Sequence, residues 1–264
     1  MFSVHFSAFN FWYSCFVMGV FGAAMGSFLN CAAYRIAHGE SFMTGRSRCP
    51  NCGHVLGPPD LVPILSWLFL RGKCRHCGAP VAARYFLTEC AFCALSILYL
   101  LRFDWSVALA RNYVFLSCLF CLSLVDLDSF IIPDGCLILS ALAWVLALPW
   151  MGYALRDIGI FLLSAALYGG GTLALSLVMD RVLRKDSLGG GDIKLFAVMG
   201  LYLGPIASLF ALILACVLGL LFAWATRRGA GTPFPFGPAI AAAIAFTLVF
   251  GDNLTAWYAG LIGL

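Results

Sequence analysis

Long apolar runs, interrupted by a single polar segment, set the pattern of this chain. Stretches dominated by Leu, Phe, Ala, Val and Ile cover roughly residues 8–31, 85–103, 107–125, 135–151, 158–179, 193–204, 206–226 and 236–262. A hydrocarbon core takes about 20 apolar helical residues to cross, and in lipid every backbone polar group must find its partner within the protein. The pattern therefore predicts an all-α polytopic membrane protein with about eight transmembrane helices. The sixth run is short and ends at Gly204 and Pro205, which mark either a tight turn between two spans or a break inside one long helix. The count is eight in the first case and seven in the second.

Composition excludes a soluble domain: 62% of the chain is hydrophobic and only 11% charged, against about 25% charged in soluble proteins. The positive charges then choose between seven spans and eight. Thirteen of the 16 Lys and Arg residues fall in three segments: Arg35, Arg46, Arg48, Arg71, Lys73, Arg75 and Arg84; Arg181, Arg184, Lys185 and Lys194; and Arg227 and Arg228. Because Lys and Arg are retained on the cytoplasmic side, eight spans put all three segments in the cytoplasm and both termini outside. Arg102, Arg111 and Arg156 are then expected near the outer face. Merging 193–226 into one span would strand Arg227 and Arg228 on the wrong side, so the charges favour eight. The first run lacks the basic flank and short core of a cleavable signal and reads as a permanent helix. The net charge of +4 reflects topology and contact with the lipid bilayer, and gives no reason to expect nucleic-acid binding.

The polar segment, residues 34–84, contains CPNC (Cys49, Cys52) and CRHC (Cys74, Cys77) with 21 residues between the pairs. Two such knuckles fit a tetrahedral four-cysteine zinc site, which folds a loop too small to hold a core of its own. Disulfides or a redox pair compete with this reading, but the charges place the loop in a reducing cytoplasm and favour zinc. His54 and His76 lie close enough in sequence to substitute as ligands. The other eight cysteines, including CAFC at 90–93 and CLFC at 118–121, sit in apolar runs and read as packing residues. The expected division is a first transmembrane helix at 1–33, a cytoplasmic zinc-binding loop at 34–84 and a transmembrane core at 85–264.

Acidic residues carry the chemistry. SLVDLDSFIIPD, residues 123–134, gathers Asp126, Asp128 and Asp134 in a chain with few charges, and an ionisable group at membrane depth is costly enough to be kept for function. A second internal carboxylate is found at Asp192 in LGGGDIKL, after Gly189, Gly190 and Gly191. These glycines permit close backbone approach or positive φ; they match neither a dinucleotide fingerprint nor a phosphate loop. Two carboxylates at one depth share a proton, so one serves as acid and the other as base around an attacking water. This is the arrangement of an aspartyl protease.

The chain resembles the type IV prepilin peptidases, bifunctional leader peptidases and N-methyltransferases of type IV pilus and type II secretion systems. The resemblance is carried by GSFLNCAAYRI (26–36), CPNCGH and CRHCGAPVAARY (49–54 and 74–85), DLDSFIIPD (126–134), GGGDIKL (189–195) and PFPFGPAIA (233–241). It implies catalytic roles for Asp126 and Asp192, with Asp128, Asp134, Lys194, Gly189 and Gly191 in support and zinc on Cys49, Cys52, Cys74 and Cys77. It also implies location in the bacterial inner membrane, prepilin or pseudopilin substrates cut at the cytoplasmic side, and S-adenosylmethionine as methyl donor. The chain departs from the usual pattern before the second acid, where KDSLGGGD (185–192) lacks the common Glu, Met and Tyr. No methyl-donor motif is readable. By resemblance Asn30 borders the substrate path and the Pro233, Pro235, Gly237 and Pro238 stretch has a role near the active site; on physics alone they read as helix packing and helix entry. Glu89 reads as a capping or paired surface acid. Competing classes are a proton- or ion-coupled transporter, a partner-docking protein and a presenilin-like intramembrane protease, which shares the GxGD pattern.

Overall fold

The computed structural model describes residues 8–41, 45–184, 188–226 and 234–262. Lys185, Asp186, Arg227, Arg228 and Pro233, which figured in the sequence reading, lie outside them. Among the described residues the regular structure is helical, with eight α-helices and one 3₁₀ turn. The chain divides into two compact units, Met1–Trp105 and Ser106–Leu264.

The first unit holds α1 (Ala8–Ala37), the 3₁₀ turn Pro58–Asp60, the short α2 (Leu65–Phe69) and α3 (Ala83–Phe103). The two long helices pack through small residues. At Gly26 of α1 an added Cβ would lie 3.0 Å from the Thr88 carbonyl of α3 and 3.1 Å from the Glu89 Cα. Close backbone approach of this kind is how apolar helices associate where there is no water to expel. Asn30 is buried on the same helix.

The second unit holds α4 (Val107–Ser129), α5 (Asp134–Met151), α6 (Leu155–Leu183), α7 (Gly190–Ala225) and α8 (Gly237–Ile262). Its inner element is α4, which buries Phe115, Leu116, Leu119, Leu122 and Val125; α8 adds Ile240 and Ile244. Outward-facing Leu142, Leu146, Leu163 and Leu220 remain exposed, as expected of surfaces that meet acyl chains. Six helices, α1 and α3 through α7, are long and apolar enough to cross a membrane, and Gly237–Asn253 of α8 is a further apolar helix.

The turn-or-break question at Gly204 is answered by contacts. Gly204 has φ 70° and ψ −177° inside α7, a conformation open to glycine but not to L side chains. Phe196, before it, lies 6.4 Å from the Phe236 ring. An added Cβ at Gly219, after it, would lie 2.8 Å from the same ring. In one straight helix these positions would be roughly 35 Å apart at 1.5 Å per residue. The chain therefore reverses at Gly204, and Pro205 opens the returning limb, where its missing N–H costs nothing. With α7 folded into two limbs, the described residues hold eight apolar helical segments: α1, α3 through α6, the two limbs of α7, and α8. The Tyr168 hydroxyl of α6 donates to the Pro205 carbonyl at 2.5 Å, beside the turn.

Arg111, near the start of α4, is buried: it is 8% exposed, donates to Asn112 at 3.1 Å and to the Tyr153 hydroxyl at 3.0 Å, and lies over the Tyr202 ring at 5.2 Å. Burial of this arginine is offset by hydrogen bonds and an aromatic face.

Candidate active site and cysteine cluster

The acidic stretch begins as the end of a helix. Asp126 lies in the last turn of α4, which closes when Phe130 adopts a left-handed conformation (φ 57°, ψ 31°) and returns its N–H to the Asp126 carbonyl at 3.0 Å. The Asp126 side chain is 5% exposed. Its Oδ2 accepts the backbone N–H of Gly237, the first residue of α8, at 2.8 Å. Helix N-termini carry unsatisfied N–H groups and partial positive charge, so a carboxylate is favoured there. Any side chain at Gly237 would collide with that carboxylate, because an added Cβ falls 2.8 Å from Oδ2. On physics alone the sequence gives Gly237 a role in helix entry, and only the resemblance places it near the active site; the contact with Asp126 spans 111 positions, and nothing local announces it.

Asp192 occupies the first turn of α7 and is half-buried. Its carboxylate folds back over Gly189, the residue that caps the helix, where an added Cβ would lie 3.2 Å from Oδ2. None of the three glycines uses positive φ; what they supply is proximity. An added Cβ at Gly191 would lie 2.7 Å from the Ile132 side chain in the connection between α4 and α5. Lys194 Nζ donates to Asp134 Oδ1 at 2.7 Å, joining the first turns of α7 and α5. Both ends of that pair are more than half exposed, so its contribution to stability is small, about 0–1 kcal/mol. Together these contacts draw the start of α7 against the end of α4, and the Asp126 and Asp192 carboxylates interact electrostatically. Asp128 is exposed.

In the first unit, the four cysteines converge. The Sγ atoms of Cys49, Cys52, Cys74 and Cys77 all lie within 4.8 Å of one another, and Cys49 and Cys77 are 3.8 Å apart. A tetrahedral zinc with bonds of about 2.3 Å sets its sulfurs about 3.8 Å apart, so the donor set fits that ion. The two knuckles repeat one hydrogen-bond plan. Cys49 N–H meets the His54 carbonyl at 2.9 Å and Gly53 N–H the Cys49 carbonyl at 2.9 Å; Cys74 N–H meets the Ala79 carbonyl at 2.8 Å and Gly78 N–H the Cys74 carbonyl at 2.9 Å. Gly53 and Gly78 both take φ 69°, as so tight a turn requires. Backbone N–H groups also tune the sulfurs. The Cys49 thiol is lowered, first by the N–H of Cys52, and Cys77 is lowered to about 6, first by the N–H of Ala79 and then by the Asn51 amide. For Cys52 the His54 N–H pulls downward, but desolvation and the neighbouring thiols outweigh it and leave that thiol at about 11. Ligation needs thiolates, and the knuckles prepare two of them.

His54 and His76 stack on each other beside the cluster, with ring centroids 3.5 Å apart, and stand outside the group of four potential ligands. Arg75 of the second knuckle pairs with Asp60 at 2.8 Å. Asp60 also accepts the Gly57 N–H at 3.2 Å, which, ahead of Arg75, holds its carboxyl below the usual range. Glu89, read from sequence as a surface acid, is 7% exposed, and its Oε2 accepts the Ile64 N–H at 2.6 Å. A glutamate near the start of an apolar run gives no local sign of burial; the partner lies 25 residues away.

Residues 20–103 match the bacterial peptidase A24 N-terminal domain and residues 113–224 match the type IV leader peptidase family. The chain is 33% identical over 250 residues to a prepilin leader peptidase/N-methyltransferase from Bacillus subtilis, covering 92% of this chain and 96% of that protein. Proteins of the same description from Dichelobacter nodosus and Stutzerimonas stutzeri are 30% and 32% identical over 272 residues, each covering 90% of this chain and 92% and 91% of the respective relative. No solved structure matches the chain.

Proposed function

The chain belongs to the type IV leader peptidase family, and from that premise we propose that it is a membrane enzyme that cleaves the leader from prepilins or pseudopilins and methylates the new N-terminal amine. Asp126 and Asp192 are the catalytic pair, one carboxylate ionised and the other protonated. The ionised member takes a proton from water as the water attacks the scissile carbonyl, and the protonated member donates to the carbonyl oxygen as the tetrahedral intermediate forms. The Gly237 N–H fixes the orientation of Asp126, and the cap at Gly189 fixes that of Asp192. Gly191 lets α7 approach closely. The Asp134–Lys194 pair holds the first turn of the helix that bears Asp192, and Asp128 plays a supporting part.

The observation that carries this reading is the acceptance of the α8 N-terminal N–H by a buried Asp126 at the end of α4, against which Gly191 and the Lys194–Asp134 pair draw the first turn of the helix that bears Asp192. A transporter reading has no such support, since the relatives are named as peptidases and methyltransferases. Zinc on the four cysteines holds the 34–84 loop together. Its ligands are thiolates only, which is the closed donor set of a structural site. The segregation of Lys and Arg supports a cytoplasmic loop and an active site at the cytoplasmic side of the inner membrane. The methyl group comes from S-adenosylmethionine, which supplies an electrophilic methyl on sulfur. The polar loop and the peptidase core thus form separate functional parts of one chain.

The deciding experiment is mass spectrometry of a prepilin N-terminus after co-expression with this protein or with its Asp192→Ala variant. A trimmed and methylated N-terminus that is lost in the variant is the expected result. An intact leader with the unaltered protein would overturn the reading, and trimming without methylation would withdraw the second activity.

A further inference from the structure

The loop between α1 and α3 contains one run that is not polar, LVPILSWLFL at residues 61–70. Ten residues are too few to cross a bilayer, and an apolar run of that length is either buried in protein or interfacial. Exposure separates the two. Leu61, Val62, Leu65 and Leu68 are each more than 40% exposed, and Phe69 is 82% exposed. Leu65, Leu68 and Phe69 share one face of α2 at helical spacing, and Leu61 and Val62 precede it in the turn.

The rest of the run is tied to α3. Trp67 stacks on Phe86 with ring centroids 4.8 Å apart, and its indole N–H donates to the Val81 carbonyl at 3.3 Å. The Ile64 N–H donates to Glu89 Oε2 at 2.6 Å. Ile64 itself has φ 63° and ψ −55°, and the Leu65 N–H closes onto the Pro63 carbonyl at 2.6 Å. This is a γ-turn of the rare positive-φ sense, at a β-branched residue that resists it, and such strain persists where the surroundings over-determine it.

These contacts set the level of the run. The 21 residues of α3 extend about 32 Å at 1.5 Å per residue, against a hydrocarbon core of about 30 Å, so the whole helix is needed to cross. Glu89 lies about 9 Å along the axis from the start of α3, and helical side chains lean back towards that start. Ile64 and Trp67 therefore run beside the first turns of α3, at the depth where headgroups meet acyl chains. Charge agrees with this placement. Residues 45–84 carry six cations, Arg46, Arg48, Arg71, Lys73, Arg75 and Arg84, and one acid, Asp60, which pairs with Arg75.

Resting on the cytoplasmic placement of this loop, we propose that residues 61–70 are an interfacial anchor whose partner is the anionic cytoplasmic leaflet. Leu61, Val62, Leu65, Leu68 and Phe69 enter the boundary of the acyl chains, and the flanking cations meet lipid phosphates. Their long stems let them reach the headgroups while the apolar face stays below. A second copy of the chain would bring the same six cations against these and be repelled. The anchor adds a third attachment to the two that α1 and α3 provide, and it pins the cysteine knuckles to the membrane surface.

The test places a photo-crosslinker in the full-length protein, as Phe69→p-benzoylphenylalanine or, for comparison, Glu40→p-benzoylphenylalanine. Phe69 is an exposed ring that a larger ring replaces without repacking, and Glu40 is exposed beyond the end of α1. Both are reconstituted in nanodiscs of phosphatidylethanolamine and phosphatidylglycerol and irradiated. Phospholipid adducts should form at position 69 with at least about tenfold the yield at position 40. Equal yields overturn the anchor, as do adducts at position 69 with a second copy or with added prepilin in place of lipid. Exchanging phosphatidylglycerol for phosphatidylcholine should lower the yield at position 69 at least about twofold, and an unchanged yield overturns the part given to the cations. A reporter fusion at residue 45 separates anchor from topology. Lipid adducts with residue 45 on the outer side keep the anchor and overturn the cytoplasmic placement; residue 45 in the cytoplasm without lipid adducts overturns the anchor alone.

Discussion

Gly237 shows how much one absent side chain decides. Its N–H reaches Asp126 at 2.8 Å because nothing stands between α8 and the carboxylate. Gly237→Ala would overpack that contact at a cost of about 1–3 kcal/mol, and a catalytic group displaced by about 1 Å loses on the order of 10²-fold in rate. The variant should insert normally and cleave prepilin 10- to 100-fold more slowly, as measured by the rate of leader loss in isolated membranes. Asp126→Ala and Asp192→Ala should each lower cleavage by at least about 10³-fold, within the range for a lost general acid or base, while Asp128→Ala keeps more activity than either. A dead Asp128→Ala with an active Asp126→Ala would reverse the assignment within the DLD triplet. Asp126 and Asp192 stood out in the sequence because an acid in an apolar run has few structural uses. Gly237 and Glu89 did not, since their partners are brought in by helices distant in sequence.

At the scale of elements, the cysteine loop is the part that the proposed zinc would hold together. Its knuckles hold little apolar core, so zinc binding and folding are expected to be one event. Cys49→Ser, or a strong chelator, should release the metal and expose the 38–82 loop to proteolysis while the long helices stay protected; the cleavage fragments would report this directly. Acid should act on the same loop through Asp60. Its carboxyl is held low, by the Gly57 N–H first and Arg75 second. A carboxyl lowered on folding stabilises the folded loop above its unfolded value, near about 4, and loses that contribution as pH falls through the lower folded value. The protease resistance of the loop should therefore be flat from neutrality to about pH 5, and below about pH 4 it should fall more in the unaltered protein than in Asp60→Asn. An identical acid profile in the two would remove Asp60 from the account.

For the whole molecule, the reversal at Gly204 sets the topology. Reporter fusions should read the same side of the membrane at residues 45 and 226, and the opposite side at residues 104, 153 and 204. A fusion at 204 that reports the side of residue 226 would make α7 re-entrant and cut the span count by two. Replacing Gly204 with Val should cost several-fold in membrane yield, because a β-branched residue strains at φ 70°.

Much of this architecture was written in the sequence. Run lengths, the crowding of Lys and Arg into three segments, the two CxxC pairs and the isolated acids each report a local demand: span a core, stay in water, ligate an ion, keep a costly charge. Local demands leave local marks. The tertiary structure decided what depends on long-range approach: that α7 folds back at Gly204 rather than merely bending, that α8 points an N–H at Asp126, that Arg111 is sheathed by Tyr153 and Tyr202, and that Glu89 is sealed beneath a strained turn. These partners are joined only when apolar helices bury their faces against one another, and no residue's neighbours in sequence encode that meeting.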